Sequence, residues 1–223
     1  MALHINLIED ANNPLNTDQR NGFAEAASIW ENRISSNVTV NIQVGMVTLA
    51  SNIIGQAGSQ FYNASYSDFR TSVAQSATTS VDAAFLSTLP TGSSYSRLIN
   101  QTNDTPGADP YATWVDSQSM IYINGGNAKA LGLLSATNSS LDALIQFNTA
   151  FSFDYNRSNG INFNQMDFVG AAAHEIGHAL GFASIVDDVD MYAGNAVDFL
   201  NMPLDFIRYS ATSFALGISD VSA

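Results

Sequence analysis

The stretch DFVGAAAHEIGHALGF, residues 167–182, is the most informative part of this chain. Its two histidines, His174 and His178, are four positions apart, so on an α-helix their side chains lie on the same face. Both imidazoles can therefore approach one metal ion, and the intervening Glu175 can approach a water molecule bound to that ion. The spacing predicts a helix that carries a metal centre.

A helix over residues 164–181 is predicted around these histidines. Asn164 is placed to act as the N-cap, and Asp167 lies in the first turn, where negative charge is favourable. Gly181 comes three residues after the second histidine, where the chain can turn with a positive φ. The apolar residues recur with roughly helical spacing and predict the buried face, which consists of Phe168, Val169, Ala172, Ile176 and Leu180.

Zinc is the metal that suits this pattern. A catalytic zinc site has three protein ligands and leaves one position for water, whose pKa the metal lowers toward neutrality. We expect His174 and His178 to bind Zn²⁺ and Glu175 to act as the general base on the water. With average residue usage, roughly one in a hundred chains of this length contains an HExxH motif by chance. The alternative is a pair of core histidines on an alanine-rich helix.

These residues also carry a family resemblance. HEIGHALGF, residues 174–182, resembles the active-site helix of metzincin-like zinc metalloproteases of the leishmanolysin type. NAKALG (127–132), SLDALIQFN (140–148) and PLDFIRYS (203–210) are similar to stretches of bacterial secreted metalloproteases, several of which carry C-terminal surface-sorting tails. The resemblance covers most of the chain. It implies a zincin-like fold, zinc-dependent peptidase activity and a location outside the cell, either secreted or at the cell surface.

The third zinc ligand has several candidates. No glutamate follows the HEIGH motif, which disfavours a gluzincin-type site, and Ser184 stands where the short metzincin motif has its third histidine. Asp187 can supply a carboxylate ligand. It belongs to an acidic cluster with Asp188 and Asp190, which is also typical of a solvated turn or a Ca²⁺-binding loop. In the resembling proteases the third histidine comes well downstream, so a histidine beyond residue 223 is the other candidate.

The order of predicted elements indicates an α+β fold with a mixed twisted sheet, an active-site helix and a loop-rich C-terminal part. We expect a single metalloprotease catalytic domain over residues 1–223, with an N-terminal lobe at 1–163 and the active-site helix and C-terminal lobe at 164–223. Residues 91–118 read as a long loop, one rim of a substrate cleft. A strand within 144–155 could pair with an extended substrate along that cleft.

Smaller elements follow from periodicity and capping. Strands are predicted at 3–8, at 38–47 with one buried face, and at 120–123, and the run 124–126 is a turn signal. Helices are predicted over the following ranges: 17–34, 66–75, 79–88 and 204–209.

Composition narrows the function further. The chain has 20 acidic and 7 basic residues, a formal charge of −13, which argues against nucleic-acid binding and against anionic membranes. No stretch approaches the roughly 20 apolar residues that span a bilayer, so no membrane insertion is expected. The absence of cysteine excludes a cysteine protease. No signal-peptide pattern follows Met1.

These observations lead to one expected function and two alternatives. The expected function is a zinc-dependent endopeptidase that hydrolyses extracellular proteins or peptides, with Ca²⁺ as a further candidate ion. One alternative is a non-catalytic secreted surface or adhesion module that retains the motif. The other is a zinc hydrolase with a non-peptide substrate, which would retain the metal but leave proteins intact.

Overall fold

The computed structural model describes residues 2–100, 112–192 and 199–222. The strands, in chain order, are β1 (His4–Glu9), β2 (Thr39–Val47), β3 (Gly55–Ser59), β4 (Phe61–Ser65), β5 (Tyr95–Asn100), β6 (Thr113–Gln118), β7 (Met120–Asn124), β8 (Ala143–Asn148), β9 (Phe153–Asp154), β10 (Met166–Asp167) and β11 (Ser219–Asp220). The helices are α1 (Thr17–Glu31), α2 (Tyr66–Ser76), α3 (Ser80–Thr88), α4 (Gly125–Ala130), α5 (Phe168–Ala179), α6 (Val186–Met191) and α7 (Ala211–Leu216). The α+β class is confirmed, and the sheets are mixed.

The chain forms two compact units. The first unit consists of Met1–Phe61 and Asn124–Phe182, and the second unit consists of Tyr62–Ile123 and Ala183–Ala223. Each unit is therefore built from two separate stretches of sequence. The single catalytic domain over residues 1–223 stays a prediction.

A four-stranded sheet organises the first unit, with the strand order β1-β2-β8-β3. The first three of these strands are parallel, and β3 runs antiparallel to β8 at the edge. The prediction that β2 has one buried face is wrong at Asn41, which is 5% exposed. Parallel strands are commonly covered on both faces, and the Asn41 amide donates to the carbonyls of Asn138 and Ser140, both at 3.1 Å.

Helices α1 and α5 pack together in the first unit. Helix α1 begins as predicted, because Asn16 and Gln19 form a capping box. The Trp30 indole donates a hydrogen bond to the carbonyl of Ala173, 2.8 Å away. Glycine at position 177 permits this close approach, because a Cβ there would lie 3.1 Å from the Trp30 ring. An aromatic cluster fills the adjoining core, and its members are Phe23, Phe147, Phe153 and Phe168.

The start of α5 differs from its prediction. Asp167, rather than Asn164, is the N-cap, and its side chain accepts a hydrogen bond from the Gly170 N–H at 3.0 Å. Asn164 has φ of +76°, outside the helical region. The strand predicted within 144–155 is also interrupted. It ends at Asn148, and the chain turns before the short β9 resumes at Phe153.

The second unit has its own sheet, with the order β11-β5-β6, and a separate β4-β7 pair. The prediction of a loop over 91–118 is therefore wrong at β5 and β6, while 101–111 lie outside the described residues. The polar residues that suggested a loop pair with each other within the sheet. Buried Arg97 binds the Asp116 carboxylate at 2.9 Å and the Asn201 amide oxygen at 3.0 Å.

Two further features differ from, or add to, the predictions. Asn124, predicted as part of a turn, lies at the junction of β7 and α4. It caps α4, because its side chain accepts a hydrogen bond from the Asn127 N–H at 2.9 Å.

Within the three described ranges, no helix has the length and apolar character needed to cross a bilayer.

Candidate metal centre

The two motif histidines converge on one point in the first unit. They lie on adjacent turns of α5, and their Nε2 atoms are 3.1 Å apart. Two nitrogens that bind one tetrahedral zinc ion at 2.0–2.1 Å are separated by about 3.3 Å. His174 is exposed and His178 is half-buried, so solvent can reach both rings. The geometry of this pair fits a shared metal ion and does not fit two core histidines.

The other ring nitrogen of His178 is held by the backbone. Its Nδ1 lies 2.7 Å from the carbonyl oxygen of Phe182. A carbonyl can only accept, so Nδ1 carries the proton and Nε2 presents its lone pair. Such contacts fix the orientation of histidine ligands in metal sites. His178 is therefore already in the tautomer that binds metal.

The end of α5 places that carbonyl. Gly181 has φ of +103°, and the Phe182 N–H donates to the Gly177 carbonyl at 3.0 Å while the Gly181 N–H donates to the His178 carbonyl at 3.0 Å. This pair of hydrogen bonds is a Schellman motif. The predicted turn at Gly181 is confirmed, and it brings the Phe182 carbonyl back to the His178 ring. A Cβ at Gly181 would collide with the Asn127 amide.

A second contact stabilises the same end of the helix. The Asn124 amide, which is buried, donates to the carbonyl of Ala179 at 2.8 Å. The last carbonyls of a helix lack partners within the helix. Asn124 supplies one from the start of α4, so the turn that carries His178 is held by side-chain as well as backbone hydrogen bonds.

Glu175 lies between the histidines and is half-buried. Burial raises the pKa of its carboxyl above the usual range, and the positive charge that His178 and His174 can carry opposes this shift. A carboxylate with a raised pKa is a stronger base. The position suits a group that takes a proton from water.

A cavity of about 470 Å³ opens in the first unit beside Glu175 and His174. Its other walls are formed by the segment before β3, by β8 and by α5, through Asn52, Ile53, Ile54, Gly55, Phe147 and Ala171. Most of these side chains are apolar. The cavity gives the motif residues access to a ligand side chain as well as to solvent.

Asp187, the candidate third ligand within residues 1–223, lies in the second unit. Asp187, Asp188 and Asp190 belong to the short helix α6, rather than to the predicted turn or loop. The Ser184 hydroxyl donates to the buried carboxylate of Asp205, 2.5 Å away. In the part of the chain that the structure describes, no three histidine, aspartate or glutamate side chains form a group that could hold a metal ion. Asp187 and a histidine beyond residue 223 both stay predictions.

Sequence reasoning missed the residues that support the site. No sequence pattern marks the Phe182 carbonyl, because every residue has a backbone carbonyl. Gly181, the residue before it, did indicate the turn. The cavity wall before β3 lies outside every predicted element, and nothing in its composition points to a binding surface.

Comparisons of this chain with protein-family models, with curated proteins and with solved structures yield no significant match.

Proposed function

We propose that this protein is a zinc-dependent endopeptidase of zincin-like, metzincin-like architecture. The observation that supports the proposal is the convergence of two accessible Nε2 atoms, 3.1 Å apart, on the helix that also carries the half-buried Glu175. The resemblance of HEIGHALGF to metzincin helices agrees with this reading. The same resemblance supports secretion or a cell-surface location, extracellular protein or peptide substrates, and Ca²⁺ as a further ion.

Each motif residue has a role in the proposed reaction. His174 and His178 would hold the zinc, with His178 oriented by the Phe182 carbonyl. Zinc, when bound, lowers the pKa of a water molecule and polarises the substrate carbonyl. Glu175 takes the proton from the attacking water and then passes it to the leaving amine. No nucleophilic side chain is needed.

The edge of the first sheet is where an extended substrate would pair. The strand predicted for this purpose, β8, lies between β2 and β3 and already uses both of its edges. Strand β3 lies at the edge and runs beside α5. We therefore assign substrate pairing to β3, since an edge strand can add a peptide by backbone hydrogen bonds.

The test combines metal analysis with peptide cleavage. We expect the wild-type protein to bind zinc and to cleave casein, and a chelator to abolish cleavage. Glu175→Gln keeps both histidines, so it should retain the metal and lose at least about a hundredfold in kcat, the usual contribution of a positioned base. Glu25→Gln is the matched control, because Glu25 is an exposed glutamate on α1 in the same unit.

The outcomes separate the alternatives. Absence of stoichiometric zinc, or equal cleavage by wild type and Glu175→Gln, would contradict the proposal and favour a non-catalytic surface module. Zinc binding without cleavage of any protein or peptide would favour a zinc hydrolase with another substrate. A longer chain that includes downstream sequence should be measured beside this one, because a third histidine there would raise the zinc affinity.

A further inference from the structure

The cavity beside Glu175 is bounded by a loop without regular structure. Residues 49–54 form most of the connection between β2 and β3, and Asn52, Ile53 and Ile54 form one wall of the cavity. Ile54 is 38% exposed, so part of its apolar side chain is open to the cavity and to solvent. The shape of the cavity therefore depends on what holds this loop.

Asn148, at the end of β8, holds the loop through its side-chain amide. It is fully buried, and its Nδ2 donates to the carbonyls of Ala50 at 3.0 Å and Ile53 at 2.9 Å. Its backbone N–H donates to the carbonyl of Ile54 at 2.9 Å. Three carbonyls of the loop are thus bound to one residue.

The amide oxygen of Asn148 completes the arrangement. It accepts hydrogen bonds from the Leu49 N–H at 3.3 Å and from the Ala150 N–H at 3.1 Å. An asparagine amide has two N–H donors and one oxygen with two lone pairs, and all four are used here. A side chain that donates twice and accepts twice is required at this position, and aspartate cannot replace it.

We propose that Asn148 is the positioning residue of this cavity, and that the cavity takes an apolar side chain of the peptide substrate next to the scissile bond. The inference rests on the proposed function for its substrate. The apolar part of the wall, formed by Ile53, Ile54 and Ala171, favours an apolar side chain, because a charged group packed against it would lose hydration. Asn148 does not line the cavity, and it acts through loop 49–54.

The cavity can be tested without metal or turnover. N-acetyl-leucinamide, a small apolar probe, should shift the NMR methyl signals of Ile53, Ile54 and Ala171 in a saturable manner, and N-acetyl-serinamide should not. Asn148→Asp replaces the donating Nδ2 with an oxygen that faces two carbonyls, so the loop should leave its position. We expect the dissociation constant of the leucinamide to rise about tenfold or more, the effect of losing most of the burial of a leucine side chain.

Gln146→Glu is the matched control for charge. Gln146 lies on the same strand, and its side chain accepts a hydrogen bond from Gln56 on β3 rather than from loop 49–54. The Gln146→Glu variant should bind the leucinamide with the same dissociation constant as the wild type. If Asn148→Asp does not fold, Asn148→Ser keeps one donor without adding charge and should show a smaller loss. Ala171→Leu fills the cavity from α5 and should abolish leucinamide binding with Asn148 intact.

Kinetics distinguish positioning from general damage. In the zinc-loaded protein, Asn148→Asp should raise KM for peptides with leucine beside the cleaved bond and change kcat by less than about threefold. A folded Asn148→Asp variant that binds leucinamide as tightly as wild type would overturn the inference. If wild type binds leucinamide in this cavity but cleaves no peptide, the proposed function fails and the assignment of the cavity to an apolar side chain stands.

Discussion

At the scale of single residues, Asp205 shows how the second unit uses a buried carboxylate. Its side chain is fully buried and accepts hydrogen bonds from the Ser184 hydroxyl and from the Met202 N–H at 2.7 Å. Burial raises the pKa of the Asp205 carboxyl, and these hydrogen bonds reduce the shift without cancelling it. The residue links the segment that follows α5 to the 3-10 turn Pro203–Ile207.

The raised pKa gives stability a defined dependence on pH. A group whose pKa is higher in the folded state favours folding when protonated, and this contribution is lost as pH rises from the usual aspartate range through the raised pKa. The Asp205→Asn variant has no titrating carboxyl at this position, so its stability lacks this dependence on pH. We expect the free-energy advantage of wild type over Asp205→Asn in urea unfolding to shrink as pH rises through that window. An advantage that grows with pH would contradict the assignment.

At the scale of elements, the C-terminal end of α5 decides whether His178 is ready to bind. The turn at Gly181 brings the Phe182 carbonyl to the His178 Nδ1, and the Phe182 ring packs against Trp30 with their ring centroids 5.3 Å apart. His178, the proposed metal ligand, is thus oriented by a backbone turn that is itself anchored to α1.

Gly181→Ala tests this turn. Alanine at φ of +103° is strained and would collide with Asn127, so the Phe182 carbonyl should move away from His178. We expect zinc affinity to fall by about tenfold to a hundredfold, the usual effect of losing such a supporting contact. Gly132→Ala is the matched control, because Gly132 has φ of +72° and open space around it. It should lose some stability and keep zinc affinity, as measured by competition with a chromogenic chelator.

The same helix shows what sequence can and cannot predict. The helical face of His174 and His178 and the turn at Gly181 follow from spacing and from the conformational freedom of glycine, and both are confirmed. The N-cap was placed three residues too early, because Asn164 and Asp167 are both good caps, and Asp167 is also the residue at which β10 pairs with β9. The hydrogen bonds of Asn148 depend on a loop distant in sequence, so no local pattern predicts them.

At the scale of the whole molecule, the first unit is stabilised by a buried ion pair as well as by its apolar core. The Lys129 Nζ lies 2.5 Å from the Asp142 carboxylate and 2.9 Å from the carbonyl of Thr39. Both charged side chains are at most 1% exposed. The pair links α4 to the sheet, since the same carboxylate accepts from the Asn41 N–H at 2.7 Å.

Removal of one member of the Lys129–Asp142 ion pair should lower the free energy of unfolding far more than removal of both members. Lys129→Met leaves a buried carboxylate without its cation, and we expect the free energy of unfolding to fall by about 3–5 kcal/mol. The double variant Lys129→Met with Asp142→Leu should recover much of that loss in urea unfolding. Arg20→Met breaks an exposed pair with Glu9 and serves as the control, for which a much smaller change is expected. A double variant less stable than Lys129→Met would contradict this account.

The fold class followed from the order of predicted elements, but the division of the chain did not. Apolar periodicity indicated β1, α1 and β2 within a few residues, and helix start and stop signals indicated α2 and α3. The sheet of the second unit was missed because β5 and β6 satisfy Arg97 and Asp116 within the sheet, and polar composition alone suggests a loop. Which strands share a unit depends on contacts between segments that are distant in sequence.

The interleaved order of the two units has a consequence for synthesis. A nascent chain that has emerged as far as Ile123 contains β1, α1, β2 and β3, but neither β8, which lies between β2 and β3, nor α5, which covers Phe23 and Phe147. The first unit can fold completely only after the chain has been synthesised as far as Phe182. Until then the apolar surface of the first unit is exposed to chaperones and to aggregation. Helix α5, which carries the two histidines, is the last element of this unit to be synthesised.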